Sequence, residues 1–355
     1  MTREKHSKEA HPPSGAKASP TASTGRDDQA PVRATQRRLA GLIDKIKESA
    51  DRLASDQATR GDLKILSRTL RELRYAFKVF TPYRMVRKVT VFGSARTSKE
   101  HPCYRQAVDF GRRMAACDWL VVTGAASGIM EAGHEGAGRE RSMGLNILLP
   151  FEQEANPIIA GDSKLVHMKY FFTRKLMFVK ETNGICLLPG GFGTLDEGLE
   201  VLTLLQTGKR DPAPVVLLDE PGGTYWQGFD EFIRAQLLGS GMIDAHDLSL
   251  YRITDRVDEA VDETTGFYTV YHSMRYVRAQ LVMRLLAPPS AALLRRIRRE
   301  YADIVAEGTF SVSGPLPEEK DEPDLADLPR LTFCFDRRNC GRLRELIDLL
   351  NGRRG

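Results

Sequence analysis

The segment Leu188–Glu197, LPGGFGTLDE, decides the fold of this chain. The apolar run Ile185–Leu188 leads into its glycines and is typical of a buried parallel strand. The run Leu199–Leu205 that follows has the apolar spacing of an amphipathic helix. A strand, a glycine turn and a helix start in that order predict an anion site, because free backbone N–H groups and the helix dipole favour a phosphate there.

The acid at the end of this segment needs a separate explanation. Glu197 lies one helical turn beyond the glycines, and a carboxylate would repel a bound phosphate. We therefore interpret Glu197 as a chemical group that faces another part of the ligand. The structural alternative is a helix-terminal carboxylate that complements the dipole.

Apolar runs that end in small residues recur along the chain and alternate with helical segments. Further strands are predicted at Val89–Phe92, Trp119–Val122, Leu145–Leu149 and Val215–Leu218. Helices are predicted at Tyr104–Ala116, Ile129–Arg139, Phe172–Thr182 and Tyr225–Leu238. This alternation predicts an α/β fold, a Rossmann-like doubly wound parallel sheet flanked by helices, whose ligand site lies at the carboxyl ends of the strands.

Composition and periodicity divide the chain into four segments. We expect a disordered tail over 1–35, an N-terminal helical extension over 36–80, the Rossmann-like catalytic domain over 88–265, and a C-terminal extension over 266–355. Within the C-terminal extension we expect a basic helix at Ala291–Ala306, an acidic and proline-rich linker over 308–329, a short strand at Leu331–Phe335 and a final helix ending near Asn351.

Charge and cysteine content exclude several classes of protein. The net charge of +5 is spread along the chain, and a basic run such as Arg295–Arg299 is typical of a solvated helix face, so nucleic-acid binding is disfavoured. The five cysteines show no CxxC spacing, which favours reduced thiols in a cytoplasmic protein. No apolar run is long enough to span a membrane, and we expect no membrane partner, anchor or signal peptide.

Two other strand ends resemble the opening segment in their small residues. Gly93-Ser94 and the loop Thr123–Gly128 would meet the opening glycines in one pocket of the sheet. Neither is a full GxGxxG, and no Walker lysine follows the glycines, so dinucleotide and nucleoside-triphosphate sites are disfavoured. Arg174-Lys175, flanked by apolar residues, predicts a cation at a buried or ligand-covered edge, with a solvated pair as the alternative. His134, His167 and His272 lack metal-ligand spacing and are interpreted as structural, so no metal site is predicted.

These residues resemble the Lonely Guy family of nucleotide phosphoribohydrolases, long mislabelled as lysine decarboxylases. The family signature PGGxGTxxE matches Pro189–Glu197, and the arginine-lysine pair of the preceding helix matches Arg174-Lys175 with Met177. The resemblance extends over Lys88–Glu263. Hydrolysis of the N-glycosidic bond of a nucleoside 5'-monophosphate is what the resemblance implies, with AMP or a cytokinin-type N6-modified AMP as substrate and with free base and ribose 5-phosphate as products.

By position, the resemblance implies that Arg174 and Glu197 are the catalytic pair. It implies that the substrate and its phosphate are held by Gly93, Ser94, Gly124, Met130, Lys175, Gly190, Gly191, Phe192, Gly193, Thr194 and Thr203. It also implies a homodimer that uses no cofactor. One departure stands out: the family's triple glycine after the second strand is Gly124-Ala125-Ala126 here, and two methyl groups would narrow that cradle.

Other functions stay open on the residues alone. One is a non-catalytic protein of the same fold that binds a nucleotide or a phosphorylated cofactor such as a molybdopterin. The base would be recognised from segments such as Pro150–Pro157. Tyr268, Tyr271, His272 and Arg275 would either cap the site or join subunits.

Overall fold

A computed structural model describes residues 29–147 and 154–353, with side chains from residue 39 onward. Most of the predicted tail, residues 1–28, lies outside the described residues. Two helices precede the sheet, as predicted: α1 at Gln29–Ser55 and α2 at Arg60–Phe80. Helix α1 begins inside the segment predicted to be a disordered tail, so that prediction is wrong for residues 29–35. Thr59 and Asp62 cap the start of α2 reciprocally, which explains why the helix begins there.

The centre of the molecule is a seven-stranded parallel sheet. Its strands are β1 at Lys88–Phe92, β2 at Leu120–Thr123, β3 at Ser142–Ile147, β4 at Leu165–Met168, β5 at Gly184–Leu187, β6 at Val215–Leu218 and β7 at Arg252–Thr254. They lie in the order β4-β3-β2-β1-β5-β6-β7, and every neighbouring pair is parallel. The chain builds outward from β1 on one side and then returns to pair β5 with β1 on the other. This doubly wound sheet confirms the predicted fold class.

Helices cover both faces of the sheet. They are α3 at Pro102–Ala116, α4 at Ile129–Ala137, α5 at Phe171–Glu181, α6 at Phe192–Gln206, α7 at Tyr225–Phe232 and α8 at Val257–Gly266. Side chains of α2, α5, α6 and α7 share one apolar core with the strands, and those of α3, α4 and α8 share the other. The strands are therefore buried on both faces, which is why they appear in the sequence as continuous apolar runs.

Two edge strands, β4 and β7, were not predicted. Both are short and carry polar residues, such as His167 in β4 and Arg252 in β7, which interrupt the apolar pattern. The helix predicted at Tyr225–Leu238 ends as α-helix at Phe232 and continues to Leu238 with wider, π-type winding. Among the described residues no helix has the length and hydropathy needed to cross a membrane.

The C-terminal extension differs most from its prediction. It contains a four-stranded antiparallel sheet in the order β10-β11-β9-β8. Its elements are β8 at Tyr271–Val277, β9 at Gln280–Leu285, α9 at Ala291–Glu300, β10 at Val305–Ser313, β11 at Arg330–Phe335 and α10 at Cys340–Leu350. The predicted strand and final helix correspond to β11 and α10. The predicted basic helix ends six residues early, because strand β10 begins at Val305.

The acidic segment after β10 is not a free linker. Glu319 is almost fully buried and accepts hydrogen bonds from Arg284 of β9 at 2.9 Å and from Arg330 of β11 at 3.1 Å. An ion pair in that position joins the segment to the sheet, and removing one partner would leave a buried charge uncompensated. A separate apolar core, which includes Phe310, Phe333 and Leu346, lies under this sheet.

Candidate functional site

The carboxyl ends of the central strands form one open cleft of about 470 Å³. Its lining includes Gly93 after β1, Gly124 after β2 and Gly191 before α6. Strands β1 and β5 are neighbours although they are far apart in sequence, so the cleft lies at the point where the order of the strands reverses. That is where ligands bind in open α/β sheets. The three small-residue strand ends therefore converge, as predicted.

The glycines before α6 have two different structural roles. A Cβ added at Gly190 would lie 2.1 Å from Thr194 Oγ1, so this glycine is required for packing. A Cβ at Gly191 or Gly193 would meet nothing within 4 Å, so these two glycines leave the start of the helix open to the cleft. The first N–H groups of a helix have no partner within it. The open helix start therefore offers N–H donors to an anion.

Backbone hydrogen bonds hold the neighbouring loop against this helix start. The N–H of Ser94 donates to the carbonyl of Pro189 at 3.2 Å, and the N–H of Ile129 donates to the carbonyl of Ser94 at 3.0 Å. Gly128, which directly precedes Ile129, has a φ of 64°, and a Cβ on this residue would lie 2.3 Å from the Ser94 oxygen. Only glycine fits such a close approach in the left-handed region.

Arg174 and Glu197 meet in the cleft. Arg174 comes from the first turn of α5 and Glu197 from the second turn of α6, and Arg174 Nη2 lies 3.5 Å from Glu197 Oε1. Both side chains are largely buried, with 14% and 5% of their surface exposed. Arg174 Nε is buried without a hydrogen-bond partner among the described residues. The guanidinium therefore retains donors that a ligand in the cleft can satisfy.

Burial changes the acidity of both groups. Burial raises the pKa of Glu197 above its ordinary value, although Lys175 and Arg174 oppose the shift, and Glu200 and Asp196 add to it. Burial lowers the pKa of Arg174, while Glu197 and Asp196 oppose that shift. A cleft carboxyl with a raised pKa and a charged partner is typical of a catalytic acid or base.

Lys175, the neighbour of Arg174, has a different environment. Its Nζ lies 2.8 Å from Asp196, 2.9 Å from Glu200 and 3.8 Å from Glu197. Burial opposes the charge of Lys175, but its hydrogen bonds to Asp196 and Glu200 leave the pKa raised overall. Lys175 is not among the residues that line the cleft. It binds α5 to α6 and acts on Glu197 through charge.

The remaining predicted site residues divide into two groups. Met130, Phe192 and Thr194 line the cleft, and Gly124 leaves room for Met130 Sδ, which would lie 2.7 Å from a Cβ at that position. Thr203 does not line the cleft. It lies eleven residues along α6, about 16 Å from the helix start, and its exposed hydroxyl donates to the carbonyl of Leu199 at 2.8 Å.

Ala125 and Ala126, which stand where the family pattern has glycines, point their side chains in different directions. Ala125 adopts φ 59° and its buried methyl packs with Ile159 and Leu165, away from the cleft. Its N–H donates to Thr123 Oγ1 at 2.9 Å. Ala126 lines the cleft. One methyl group, rather than two, therefore narrows the cleft at this loop.

Sequence reasoning missed several residues of the cleft, and three of them have side chains that matter for a ligand. Asn146 is a buried polar side chain in β3, Arg96 is an exposed cation beyond β1, and Phe178 is a buried aromatic of α5. The asparagine inside the apolar run Leu145–Leu149 was the signal that could have been used. The second half of the segment predicted to recognise the base begins at Glu154, since residues 148–153 lie outside the described residues.

Histidine and cysteine side chains have their own environments. His134 is buried, hydrogen-bonded to the Met143 carbonyl at 2.9 Å, and burial lowers its pKa to about 4, which agrees with a structural role. All five cysteines are free. Among the described residues, one group of potential metal ligands comes together outside the cleft lining: His101, Cys103 and Glu220, with ligand atoms within 4.8 Å of one another.

Part of the chain is similar to known proteins. A family model described as possible lysine decarboxylase matches residues 123–264. The cytokinin riboside 5'-monophosphate phosphoribohydrolase LOG3 of Arabidopsis thaliana is 31% identical over 152 residues, which cover 41% of this chain and 67% of the relative. The LOG4 enzyme of the same plant is 30% identical over 151 residues, with the same coverage. Among solved structures, the molybdenum cofactor binding protein of Rippkaea orientalis is 16% identical, with a TM-score of 0.35 over 50% of this chain and 94% of its own.

Proposed function

This chain belongs to the Lonely Guy (LOG) family, and on that premise we propose that it hydrolyses the N-glycosidic bond of a nucleoside 5'-monophosphate to a free base and ribose 5-phosphate. The observation that carries the proposal is the buried Glu197 carboxylate, 3.5 Å from Arg174 and one turn inside an open helix start. A protein that only bound phosphate would have no use for a carboxylate there.

The phosphate binds at the start of α6 in this proposal. The N–H groups near Gly191 and Gly193 donate to its oxygens, and the helix dipole stabilises its charge. One helical turn is about 5.4 Å, so Glu197 faces the ribose rather than the phosphate. Arg174 donates to oxygens of the ribose 5-phosphate and holds the sugar against Glu197.

Bond cleavage then follows glycosidase chemistry. A water oxygen bonds to C1' of the ribose as the C1'–N bond breaks, and the bonding electron pair goes to the base nitrogen, which takes a proton from solvent. Glu197 accepts the proton of the attacking water, and its negative charge stabilises the oxocarbenium-like ribose. The raised pKa of Glu197 makes it a stronger base than an exposed carboxylate.

We propose AMP or an N6-modified AMP as the substrate. The two relatives are named for a cytokinin riboside 5'-monophosphate. Phe171 and Phe178 supply an apolar wall of the cleft, and the buried amide of Asn146 lines it as well. An amide offers a paired donor and acceptor, which complements the adenine edge.

The proposal includes a homodimer in the cytoplasm. Phe171, Phe172 and Leu176 on α5 and Leu199 on α6 are each about half exposed, and Phe171 also lines the cleft. Apolar side chains exposed together in this way favour a protein interface. Light scattering coupled to gel filtration measures the mass directly, and a monomer at micromolar concentration contradicts this part of the proposal.

Lysine decarboxylation, the description of the matching family model, is disfavoured by the state of the lysine nearest the cleft. A Schiff base requires an uncharged amine. Carboxylates surround Lys175 and its pKa is raised, so its amine stays protonated at neutral pH.

The test is a product assay on the full chain. The protein is incubated with AMP, GMP, CMP, UMP and an N6-modified AMP, and free base and ribose 5-phosphate are measured. We expect turnover of at least one monophosphate, and a fall of about 10²–10⁴-fold in Glu197→Gln, the range for loss of a general base. Glu200→Gln, on the same helix but outside the cleft lining, is the matched control and retains most activity.

Folding of Glu197→Gln is checked separately. A carboxyl whose folded pKa lies above its unfolded value contributes stability below the unfolded pKa and loses it as the pH rises through the folded value. At neutral pH the amide therefore keeps or raises the melting temperature. Equal inertness of wild type and Glu197→Gln on every substrate would overturn the proposal, and tight binding without turnover would favour a carrier instead.

A further inference from the structure

A second cavity lies at the opposite edge of the central sheet and has a volume of about 470 Å³. Arg87 comes directly before β1, Asn183 directly before β5 and Arg210 shortly before β6, so these residues mark the amino ends of the strands. Tyr271 and His272 of β8 form the wall on the side of the C-terminal sheet. The tyrosines predicted to cap the first site or join subunits therefore line a different cavity.

Three cationic side chains that line the cavity form no ion pair with an acidic residue in the described part of the chain. Arg87, Lys209 and Arg210 line it, and in the described part of the chain no carboxylate oxygen lies within 4 Å of their side-chain nitrogens. Asp211 is the single acidic residue in the described lining. Arg284 is different, since its buried side chain pairs with Glu319 at 2.7 Å.

The surroundings of Arg210 show how unusual its charge is. Its Nη2 donates to the carbonyl of Thr182 at 2.7 Å, and its Nη1 is buried without any hydrogen-bond partner in the described residues. Burial lowers the pKa of Arg210 to about 10, against the opposing charges of Tyr268 and Asp211. A buried guanidinium donor without an acceptor is costly unless something else compensates it.

Arg87 is held in place by an aromatic ring. Its guanidinium lies 3.5 Å from the centre of the Tyr268 ring, and the Tyr268 hydroxyl donates to the Asn183 carbonyl at 2.7 Å. Stacking covers the face of the guanidinium and leaves its N–H edge available for an oxyanion. Tyr268 also packs against the apolar cores of both sheets, so Arg87 stands on a rigid support.

We propose that this cavity is a second anion site, in which Arg87, Lys209 and Arg210 bind a phosphate-bearing small molecule. Lys180 also lines the cavity but pairs with Glu181, so three unpaired cations against Asp211 leave an excess charge of about two, which matches a phosphate or pyrophosphate group better than a single carboxylate. The two planar arginines supply paired donors, and Lys209, which is exposed, supplies charge at the entrance. This proposal does not depend on the reaction assigned to the cleft.

The test uses inorganic pyrophosphate as the probe and isothermal titration of the full chain as the readout. Because the cleft also binds phosphate in the proposed function, a Gly193→Asp variant is included to place a carboxylate at the start of α6, where the glycine faces open space. We expect Gly193→Asp to retain one binding event, and we expect Arg87→Gln/Arg210→Gln, made in the Gly193→Asp background, to weaken the affinity of that event at least tenfold. Undiminished affinity in that triple variant, or no binding to Gly193→Asp alone, overturns the proposal.

Two further variants separate binding from folding. Lys209→Gln changes an exposed side chain and leaves the fold intact, so a several-fold loss of pyrophosphate affinity at low salt supports the site and unchanged affinity contradicts it. Arg210→Gln removes an uncompensated charge, so its melting temperature in anion-free buffer should equal or exceed that of wild type. Added pyrophosphate should then raise the melting temperature of wild type more than that of the variant, and equal increases would contradict the proposal.

Discussion

The cleft and the basic cavity lie at opposite edges of one sheet and treat their cations differently. In the cleft, Arg174 faces Glu197, and Lys175 is surrounded by three carboxylates. In the cavity, Arg87 and Arg210 face aromatic rings and backbone carbonyls. Both sites are proposed to receive negative charge, but only at the cleft do carboxylates contact the cations directly.

This difference separates chemistry from binding. A buried carboxylate beside a phosphate site weakens phosphate binding, so its presence indicates that the site gains something else from it. Unpaired arginines do the reverse, because their cost in the empty protein is recovered only when an anion enters. Whether the cations are paired with carboxylates, more than how many cations there are, distinguishes a site for chemistry from a site for binding.

Among the variants that test this comparison, we expect the largest loss of activity when Arg174 is replaced. Arg174→Gln removes the charged donor of the cleft and leaves Glu197 buried without its nearest partner, so kcat/KM should fall about 10²–10³-fold, as for loss of one transition-state donor. Steady-state release of free base measures it. Arg234→Gln, an exposed arginine paired with Asp230 at 2.6 Å, is the matched control and should stay within twofold of wild type. A loss below fivefold for Arg174→Gln would place Arg174 outside the reaction.

A smaller effect should distinguish the two glycines Gly190 and Gly193, since one affects stability and the other affects substrate binding. Gly190→Ala places a methyl 2.1 Å from Thr194 Oγ1, so it should lower the free energy of unfolding by about 1–3 kcal/mol. Gly193→Ala adds a methyl to open space, so stability should be retained while KM rises about tenfold. Denaturant unfolding and substrate titration of both variants check the pair. If Gly193→Ala binds substrate normally, the helix start does not hold the phosphate.

The smallest expected effect is a shift in the pH dependence of kcat/KM, and two variants should shift it in opposite directions. Lys175 lowers and Glu200 raises the pKa of Glu197. If Glu197 must be ionised, the acid limb of the kcat/KM profile lies above the ordinary carboxyl pKa. Lys175→Met should move that limb to higher pH, and Glu200→Gln should move it to lower pH by a smaller amount. Shifts in the same direction, or none, would show that the limb belongs to another group.

The sequence predicts the parallel sheet well because its strands are buried on both faces. Apolar runs such as Val215–Leu218 coincide with observed strands, since burial leaves no polar alternation to obscure them. In the C-terminal sheet only β11 was predicted, and β10 was missed for the opposite reason. Strand β10 exposes most of its residues at a sheet edge, so Val305–Ser313 carries little apolar signal.

The candidate site was predictable where its chemistry is local in sequence. The glycines and Glu197 lie within one segment, and the motif that contains them also indicated Arg174. Asn146 and Arg96 were missed because only the folded sheet brings them to the cleft. The basic cavity has no motif at all, since Arg87, Arg210 and Tyr268 come from three separate connections. Thr203 shows the reverse error, because shared membership of α6 does not bring a residue to the start of that helix.

The central position of β1 has a consequence for synthesis of the chain. Strand β1 is the first strand of the sheet to be synthesised, and β2 pairs with it on one side. Its other side pairs with β5, where Val91 is opposite Cys186, so that partner is synthesised about ninety residues later. Until then the nascent chain exposes an apolar strand edge, which is a template for aggregation. Any fragment that ends before β5 would therefore carry part of the cleft and a β1 with one unpaired edge, and we expect such a fragment to aggregate more readily than the full chain.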